Sequence, residues 1–188
     1  MVRRTFVSLV FVALILSACV SGEQKVADAG IIKVSDDQFR PYRQYTATNK
    51  QSIHFSGTER VTLAARIDRK TGATVVMAEI AVFYMTHERR HYDRAANAQA
   101  EPLIVNKIAY DGQCDRKKNC ERDEVVQVQI PEAVLRQVPS AGYQFKIFGK
   151  AAPDILISLE KPLIDSLFLK IDADRAKPPT QISQKSAL

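Results

Sequence analysis

The chain has 188 residues, which suits one domain with a hydrophobic core of its own. Lysine and arginine number 27 against 21 aspartates and glutamates, so the formal net charge is +6. The seven glycines form no phosphate-binding loop or dinucleotide fingerprint, and no G-x-S-x-G nucleophile elbow is present. The sequence therefore gives no support to the enzyme classes that carry these motifs.

The N-terminus begins with a basic pair that an apolar segment follows. Arg3 and Arg4 precede residues 6–16, which are apolar except for Ser8. A transmembrane helix needs about 20 apolar residues, and this segment is shorter. A basic start, a short apolar core and small residues before a cleavage point are typical of a secretory signal peptide. We therefore predict that the chain is exported.

The apolar segment ends at Leu16-Ser17-Ala18-Cys19, which resembles the lipobox of bacterial lipoproteins. The resemblance implies cleavage before Cys19, a diacylglycerol thioether on its sulfur, and a further acyl chain such as palmitate on the new amine. Several acyl chains together hold a protein firmly to a membrane. In this family an Asp after the cysteine retains the protein at the inner membrane, so Val20 favours the outer membrane. The alternative is an ordinary signal peptide with an incidental cysteine.

Removal of the signal peptide, residues 1–18, leaves 170 residues and lowers the net charge to +4, because Arg3 and Arg4 are lost. We expect a lipidated tether at 19–30, a β-rich periplasmic domain at 31–173 and a disordered tail at 174–188. A mild basic excess in an exported protein favours envelope proteins, anionic lipid or cell-wall polymer as partners over nucleic acid. The alternative is that the charge only aids solubility.

The clearest structural unit is a hairpin from Val61 to Met85. Apolar and polar residues alternate from Val61 to Asp68, and the turn at Arg69–Gly72 leads into the run Thr74–Met85. That run is apolar on both faces, which predicts a central strand covered on two sides.

Shorter segments predict further strands and two helices. We expect strands at 31–34, 42–48, 53–55, 89–95, 103–110, 124–130, 143–147 and 155–159. One helix is expected at 131–138. Another is expected from Pro162, because five apolar residues share one helical face there, namely Leu163, Ile164, Leu167, Phe168 and Ile171. The fold class is mainly β (α+β): an antiparallel β-sandwich or bent sheet with a C-terminal amphipathic helix packed on it.

Two cysteines remain besides Cys19. In an oxidising compartment Cys114 and Cys120 are expected to form a disulfide that closes a small loop. The alternative is a redox or metal pair, although redox pairs favour Cys-x-x-Cys and a zinc site needs four ligands.

Residues 87–91 match the H-E-x-x-H motif and resemble the zincin metallopeptidases over those five positions. On a helix, His87 and His91 would share a face and bind zinc while Glu88 activates water as the catalytic residue. The preceding run is predicted to be a strand, in which the two histidines would lie about 13 Å apart. A zinc-dependent metallohydrolase is therefore the alternative hypothesis, and without it no cofactor is expected.

The remaining charged residues suggest one possible anion-binding patch. It would comprise Arg89, Arg90, Arg94, Arg116, Lys117 and Lys118 if the disulfide loop folds over the neighbouring strand end. The alternative is two independent solvated loops. The acidic groups at 36–37 and 121–124 are interpreted as turn and strand-edge charges.

The body of the chain is similar to a class of small exported proteobacterial lipoproteins of unknown function. The similarity covers residues 60–173 and depends on Tyr92-Asp93-Arg94-Ala95, the Cys114/Cys120 loop, the 124–131 strand, and residues 142–149 with the late helix. It implies no reaction and no catalytic residues. We therefore expect an outer-membrane lipoprotein that faces the periplasm, with a binding or envelope-assembly role. A third possibility is a structural subunit of a larger envelope machine that pairs through exposed sheet edges.

Overall fold

The computed structural model describes residues 32–48, 59–115, 120–150 and 152–177. They form ten strands and two helices, which are β1 (Ile32–Ser35), β2 (Tyr42–Thr48), β3 (Glu59–Asp68), β4 (Thr74–Met85), β5 (Arg94–Asn97), β6 (Pro102–Leu103), β7 (Val105–Cys114), β8 (Cys120–Ile130), α1 (Glu132–Arg136), β9 (Tyr143–Phe148), β10 (Ile155–Leu159) and α2 (Lys161–Arg175). The described residues do not include the predicted signal peptide, Cys19, the predicted tether, the predicted strand at 53–55, the loop residues 116–119 or most of the predicted tail.

The strands form two antiparallel sheets. The larger sheet has the order β1-β2-β3-β4-β8-β7, and the smaller sheet has the order β10-β9-β5-β6. Buried side chains from both sheets and both helices belong to one hydrophobic core. The predicted mainly β class, with a C-terminal helix on the sheets, is confirmed.

The hairpin of β3 and β4 has the predicted turn. Asp68 caps the turn, because its carboxylate accepts bonds from the backbone N–H groups of Lys70 and Thr71 at 3.0 and 2.7 Å. Gly72 has a φ of +73°, which lies in the left-handed region that glycine adopts without strain. The turn chemistry and the strand alternation therefore agree.

The prediction that β4 is covered on both faces is correct only in part. Val76, Ala78, Ile80, Val82 and Tyr84 point into the core, whereas Val75, Phe83 and Met85 on the opposite face are exposed. A strand shows its buried face through the alternation of apolar and polar residues. A continuous apolar run lacks this alternation, so its sequence does not show which face the fold covers.

Two predicted strands are wrong in their placement. Residues 86–93 are irregular instead of continuing the larger sheet, and the chain passes to β5 in the smaller sheet. The strand predicted at 103–110 is interrupted at Ile104, so β6 pairs with β5 while β7 pairs with β8. Which strands pair depends on distant partners, and a local pattern does not contain that information.

The helices are close to their predicted positions. α1 is shorter than expected and Pro131 occupies its N-cap instead of its first turn. All five residues predicted for the apolar face of α2 are buried. The helix continues through Asp174 and Arg175, two residues that the prediction assigned to the tail. Neither helix of the described residues is long and apolar enough to cross a membrane.

Candidate functional site

The most deeply buried charged side chain of the described residues belongs to Glu124 on β8, which is 2% exposed. Its position on the strand explains this burial, because Glu124 shares its face with Val126 and Val128. The carboxylate thus lies on the core side of the larger sheet, where every lone pair needs a partner.

Four donors satisfy the Glu124 carboxylate. The Tyr84 hydroxyl from the adjacent strand donates to Oε1. The backbone N–H groups of His91 and Tyr92 donate at 3.2 and 3.3 Å. Arg89 adds an ion pair, with Nε 3.3 Å from Oε1. One carboxylate thereby joins Arg89, His91 and Tyr92 of the irregular segment 86–93 to β8.

The pKa of Glu124 reflects two opposing causes. Burial raises this pKa, while the bonds from Tyr84, His91 and Tyr92 and the charge of Arg89 lower it, and the net result is a pKa below the usual value. The pKa of Tyr84 is raised, first by burial and second by its bond to Glu124. The tyrosine therefore stays protonated as a donor and the glutamate stays ionised as an acceptor.

Glu124 was wrongly interpreted as a strand-edge charge, although a signal was present. Extending the alternation of Val126, Val128 and Ile130 by one step places Glu124 on the same apolar face. Asp36 and Asp37 do occupy a turn, where Asp36 forms an ion pair with Arg43 and Asp37 forms one with Arg40. Their interpretation as turn charges is correct.

The H-E-x-x-H segment does not form the helix that its motif requires. His91 has a φ of +54°, and its backbone N–H is bonded to Glu124. His87 Nδ1 lies 3.7 Å from Cys120 Sγ, and the Glu88 side chain is exposed. Within the ranges that the structure describes, no group of three His, Cys, Asp or Glu side chains is placed to hold a metal ion.

The three described arginines of the predicted anion patch stack on three separate aromatic rings. The guanidinium carbon of Arg89 lies 3.9 Å from the ring centre of Tyr110, that of Arg90 4.4 Å from Tyr84, and that of Arg94 5.6 Å from Phe148. Arg116, Lys117 and Lys118 lie outside the described residues, so the patch as a whole stays a prediction.

The predicted disulfide is present. Cys114 and Cys120 pair at the ends of β7 and β8 with an S–S distance of 2.07 Å. Cys120 is 2% exposed, whereas Cys114 is exposed to solvent. Arg122 Nη2 lies 3.6 Å from Cys114 Sγ, and His87 Nδ1 lies 3.7 Å from Cys120 Sγ. Each sulfur therefore contacts a different basic side chain.

Asp93, beside this segment, is held by two lysines that sequence reasoning did not connect with it. Its Oδ2 lies 3.1 Å from Lys150 Nζ and 3.7 Å from Lys107 Nζ. The hydrogen bond from Lys150 lowers the pKa of Asp93, and the charges of both lysines add to this effect. The Tyr92-Asp93-Arg94 stretch therefore ties β5 to β7 and to the turn after β9.

Two open grooves offer space but little chemistry. One of about 400 Å³ is lined by residues of β5, β9 and β10, including Lys146, Phe148 and Leu156. The other, of about 310 Å³, lies beside Val75 and Ile104. Each is lined by a single ionisable side chain, so neither presents an acid–base pair.

Comparison with known proteins adds no constraint on this site. No protein-family model matches the chain, and no curated protein or solved structure matches it either. The expected similarity to small exported lipoproteins therefore stays a prediction.

Proposed function

We propose that the protein is an exported bacterial lipoprotein, anchored by Cys19 to the outer membrane, whose β domain binds other envelope components in the periplasm. The observation that carries the proposal is the Cys114–Cys120 disulfide. Disulfides persist in oxidising compartments and are rare in the cytosol. The bond supports export, and the sequence at 16–19 supplies the mechanism of anchoring.

The environment of the H-E-x-x-H segment supports a role other than zinc hydrolysis. The Arg89 side chain and the backbone N–H of His91 both donate to Glu124. The segment is irregular, whereas the zinc motif needs a helix. Saturated buried polar groups of this kind fix a local structure. We therefore propose binding as the function and assign no catalytic residue.

The edge strand β7 is the surface best suited to that binding. It is ten residues long, pairs with β8 on one side and with no other strand of the described residues, and is exposed over nearly its whole length. Ile104, which directly precedes the strand, is 63% exposed, and Ile108, which lies in the strand where its register with β8 shifts, is 49% exposed. An exposed edge of this length presents free backbone groups and apolar side chains to an added strand. We propose that its occupant is an extended strand of an envelope protein.

Lipidation is tested by labelling cells with palmitate and separating membrane from soluble fractions. The full chain should incorporate label and sediment with the outer membrane, and Cys19→Ala should lose both properties. The control is the double variant Cys114→Ser/Cys120→Ser, which retains Cys19 and should still be labelled. A cytosolic protein that retains Met1, or membrane-bound protein without acyl groups, would overturn the proposal.

The edge-strand partner is tested by photo-crosslinking in intact cells. A photoreactive amino acid at position 108 should yield one dominant protein adduct, and adding Lys107→Pro to interrupt the strand should remove it. The matched control is position 169 on α2, where Leu169 is 74% exposed but lies on no sheet edge. A diffuse lipid or glycan adduct at 108, or equal protein adducts at both positions, contradicts strand addition.

A further inference from the structure

The disulfide has an asymmetric environment that a purely structural crosslink does not need. Cys114 is an exposed residue and Cys120 is 2% exposed, so Cys114 is the more accessible of the two cysteines to an external thiol. In thiol–disulfide exchange the sulfur that is attacked is decided by access. The geometry therefore makes Cys114 the sulfur that is attacked and Cys120 the leaving group.

Each sulfur lies beside a group that stabilises a thiolate. His87 Nδ1 is 3.7 Å from the buried Cys120 Sγ. Arg122 Nη2 is 3.6 Å from Cys114 Sγ, which places a guanidinium group next to this sulfur. Arginine or protonated histidine next to a cysteine lowers the thiol pKa, and a thiol of lower pKa leaves faster.

Arg122 is positioned for this contact by its neighbours. Its Nη2 also donates to the backbone carbonyl of His87 at 3.1 Å. The side chain crosses β7 at Gly112, where a Cβ atom would lie 2.3 Å from Nη1. The glycine therefore leaves the space through which the guanidinium reaches the disulfide.

We propose that Cys114–Cys120 is a thiol–disulfide exchange site that accepts electrons from a dithiol of the cell envelope. The first thiol of the dithiol loses its proton to water and its thiolate attacks Cys114 Sγ. The Cys114–Cys120 bond breaks, and Cys120 leaves as a thiolate beside His87 and takes a proton from water. The second thiol then loses its proton to water, and its thiolate attacks the dithiol sulfur that is bonded to Cys114, which releases Cys114 as a thiolate beside Arg122 that takes a proton from water. Two electrons pass to the protein, the dithiol becomes a disulfide, and both cysteines end reduced. The inference rests on the proposed export of the protein but not on the lipid anchor.

The first test measures the reduction rate of the purified full chain in detergent, with dithiothreitol as the probe and alkylation of free thiols as the readout. His87→Gln should slow the first attack roughly three- to tenfold, because it removes the group beside the leaving Cys120 thiolate. Arg122→Gln should slow the release of Cys114 from the mixed disulfide by a similar factor, because Cys114 leaves in that second step.

The matched controls remove the same side-chain types away from the disulfide. His91→Asn removes another imidazole. The backbone of residue 91 is left-handed, and asparagine adopts this conformation readily. Arg94→Gln deletes a guanidinium that stacks on Phe148. Both should be reduced at the wild-type rate, and the urea unfolding midpoint of each oxidised variant should show that the fold is retained.

The second test identifies the attacked sulfur. Incubation with glutathione, followed by acid trapping and mass spectrometry, should place the mixed disulfide on Cys114. An adduct on Cys120 would overturn the proposal. So would wild-type rates in His87→Gln and Arg122→Gln, or reduction that occurs only at the rate of global unfolding.

Discussion

The backbone N–H of His91 donates a 3.2 Å hydrogen bond to the buried carboxylate of Glu124, although 33 residues separate them. This bond fixes the second histidine of the H-E-x-x-H sequence by its backbone, in a left-handed conformation with a φ of +54°. The same carboxylate accepts bonds from Tyr84, Tyr92 and Arg89. The motif is therefore organised around a glutamate that is not part of it.

Replacing this carboxylate should destabilise the domain. Glu124→Gln turns two acceptor oxygens into one and leaves the charge of Arg89 unpaired, so we expect a loss of roughly 2 to 4 kcal/mol in the free energy of unfolding. The measurement is urea denaturation at pH 7. Glu88→Gln is the control at an exposed position of the same segment and should change stability by less than about 0.5 kcal/mol. Equal effects would contradict the assigned role of Glu124.

The stabilisation by Glu124 should disappear in acid. Its pKa is lower in the folded state than the unfolded value of about 4.3, so the contribution is complete above that pH and is lost as pH falls through the folded pKa. The stability gap between the native protein and Glu124→Gln should therefore narrow between neutral and acidic pH. Urea titrations across this range measure it, and a constant gap would show that ionisation of Glu124 does not contribute.

Removing the disulfide should cost about 2 kcal/mol, because it closes a short loop and limits the unfolded chain only moderately. The double variant Cys114→Ser/Cys120→Ser, unfolded by urea, provides the measurement. Addition of a reductant to the native protein should produce a similar loss, whereas the double variant should not respond to reductant. A response of the double variant would indicate an effect unrelated to this bond.

The packing of α2 gives a matched pair of leucines on one helix. Leu167 is fully buried and Leu169 is exposed. Leu167→Ala should destabilise the domain by roughly 2 to 5 kcal/mol through lost burial and cavity formation. Leu169→Ala should change the unfolding free energy by less than about 0.5 kcal/mol. Similar values for both variants would mean that this helix does not pack through the face observed.

Two glycines with positive φ should differ in their tolerance of a side chain. At Gly142, with a φ of +83°, a Cβ atom would lie 2.2 Å from the backbone oxygen of Leu159. At Gly72 no atom lies within 4 Å. Gly72→Ala should cost about 1 kcal/mol from backbone strain alone, and Gly142→Ala should cost clearly more, because the backbone must move. Thermal unfolding of both variants checks the order, and a reversed order would contradict the local geometry.

The sequence by itself determined the features that depend on near neighbours. The apolar face of α2 was predicted residue by residue, because positions three and four apart on a helix share a face whatever the rest of the chain does. The β3–β4 hairpin and its turn at Gly72 were predicted for the same reason. The disulfide was also predictable, since only one pair remains once Cys19 is assigned to the anchor.

Tertiary structure alone decided how the strands are divided between the two sheets and what the irregular segment 86–93 contacts. The break at Ile104, which sends β6 and β7 to different sheets, depends on pairing with β5 and β8. The four donors of Glu124 come from residues 32 to 40 positions away in the sequence. His87 is equally distant from Cys120, and Arg122 contacts Cys114 across the pair of strands β7 and β8. Periodicity reports which face of an element is apolar, but the partner of that face is chosen by the packing of the whole chain.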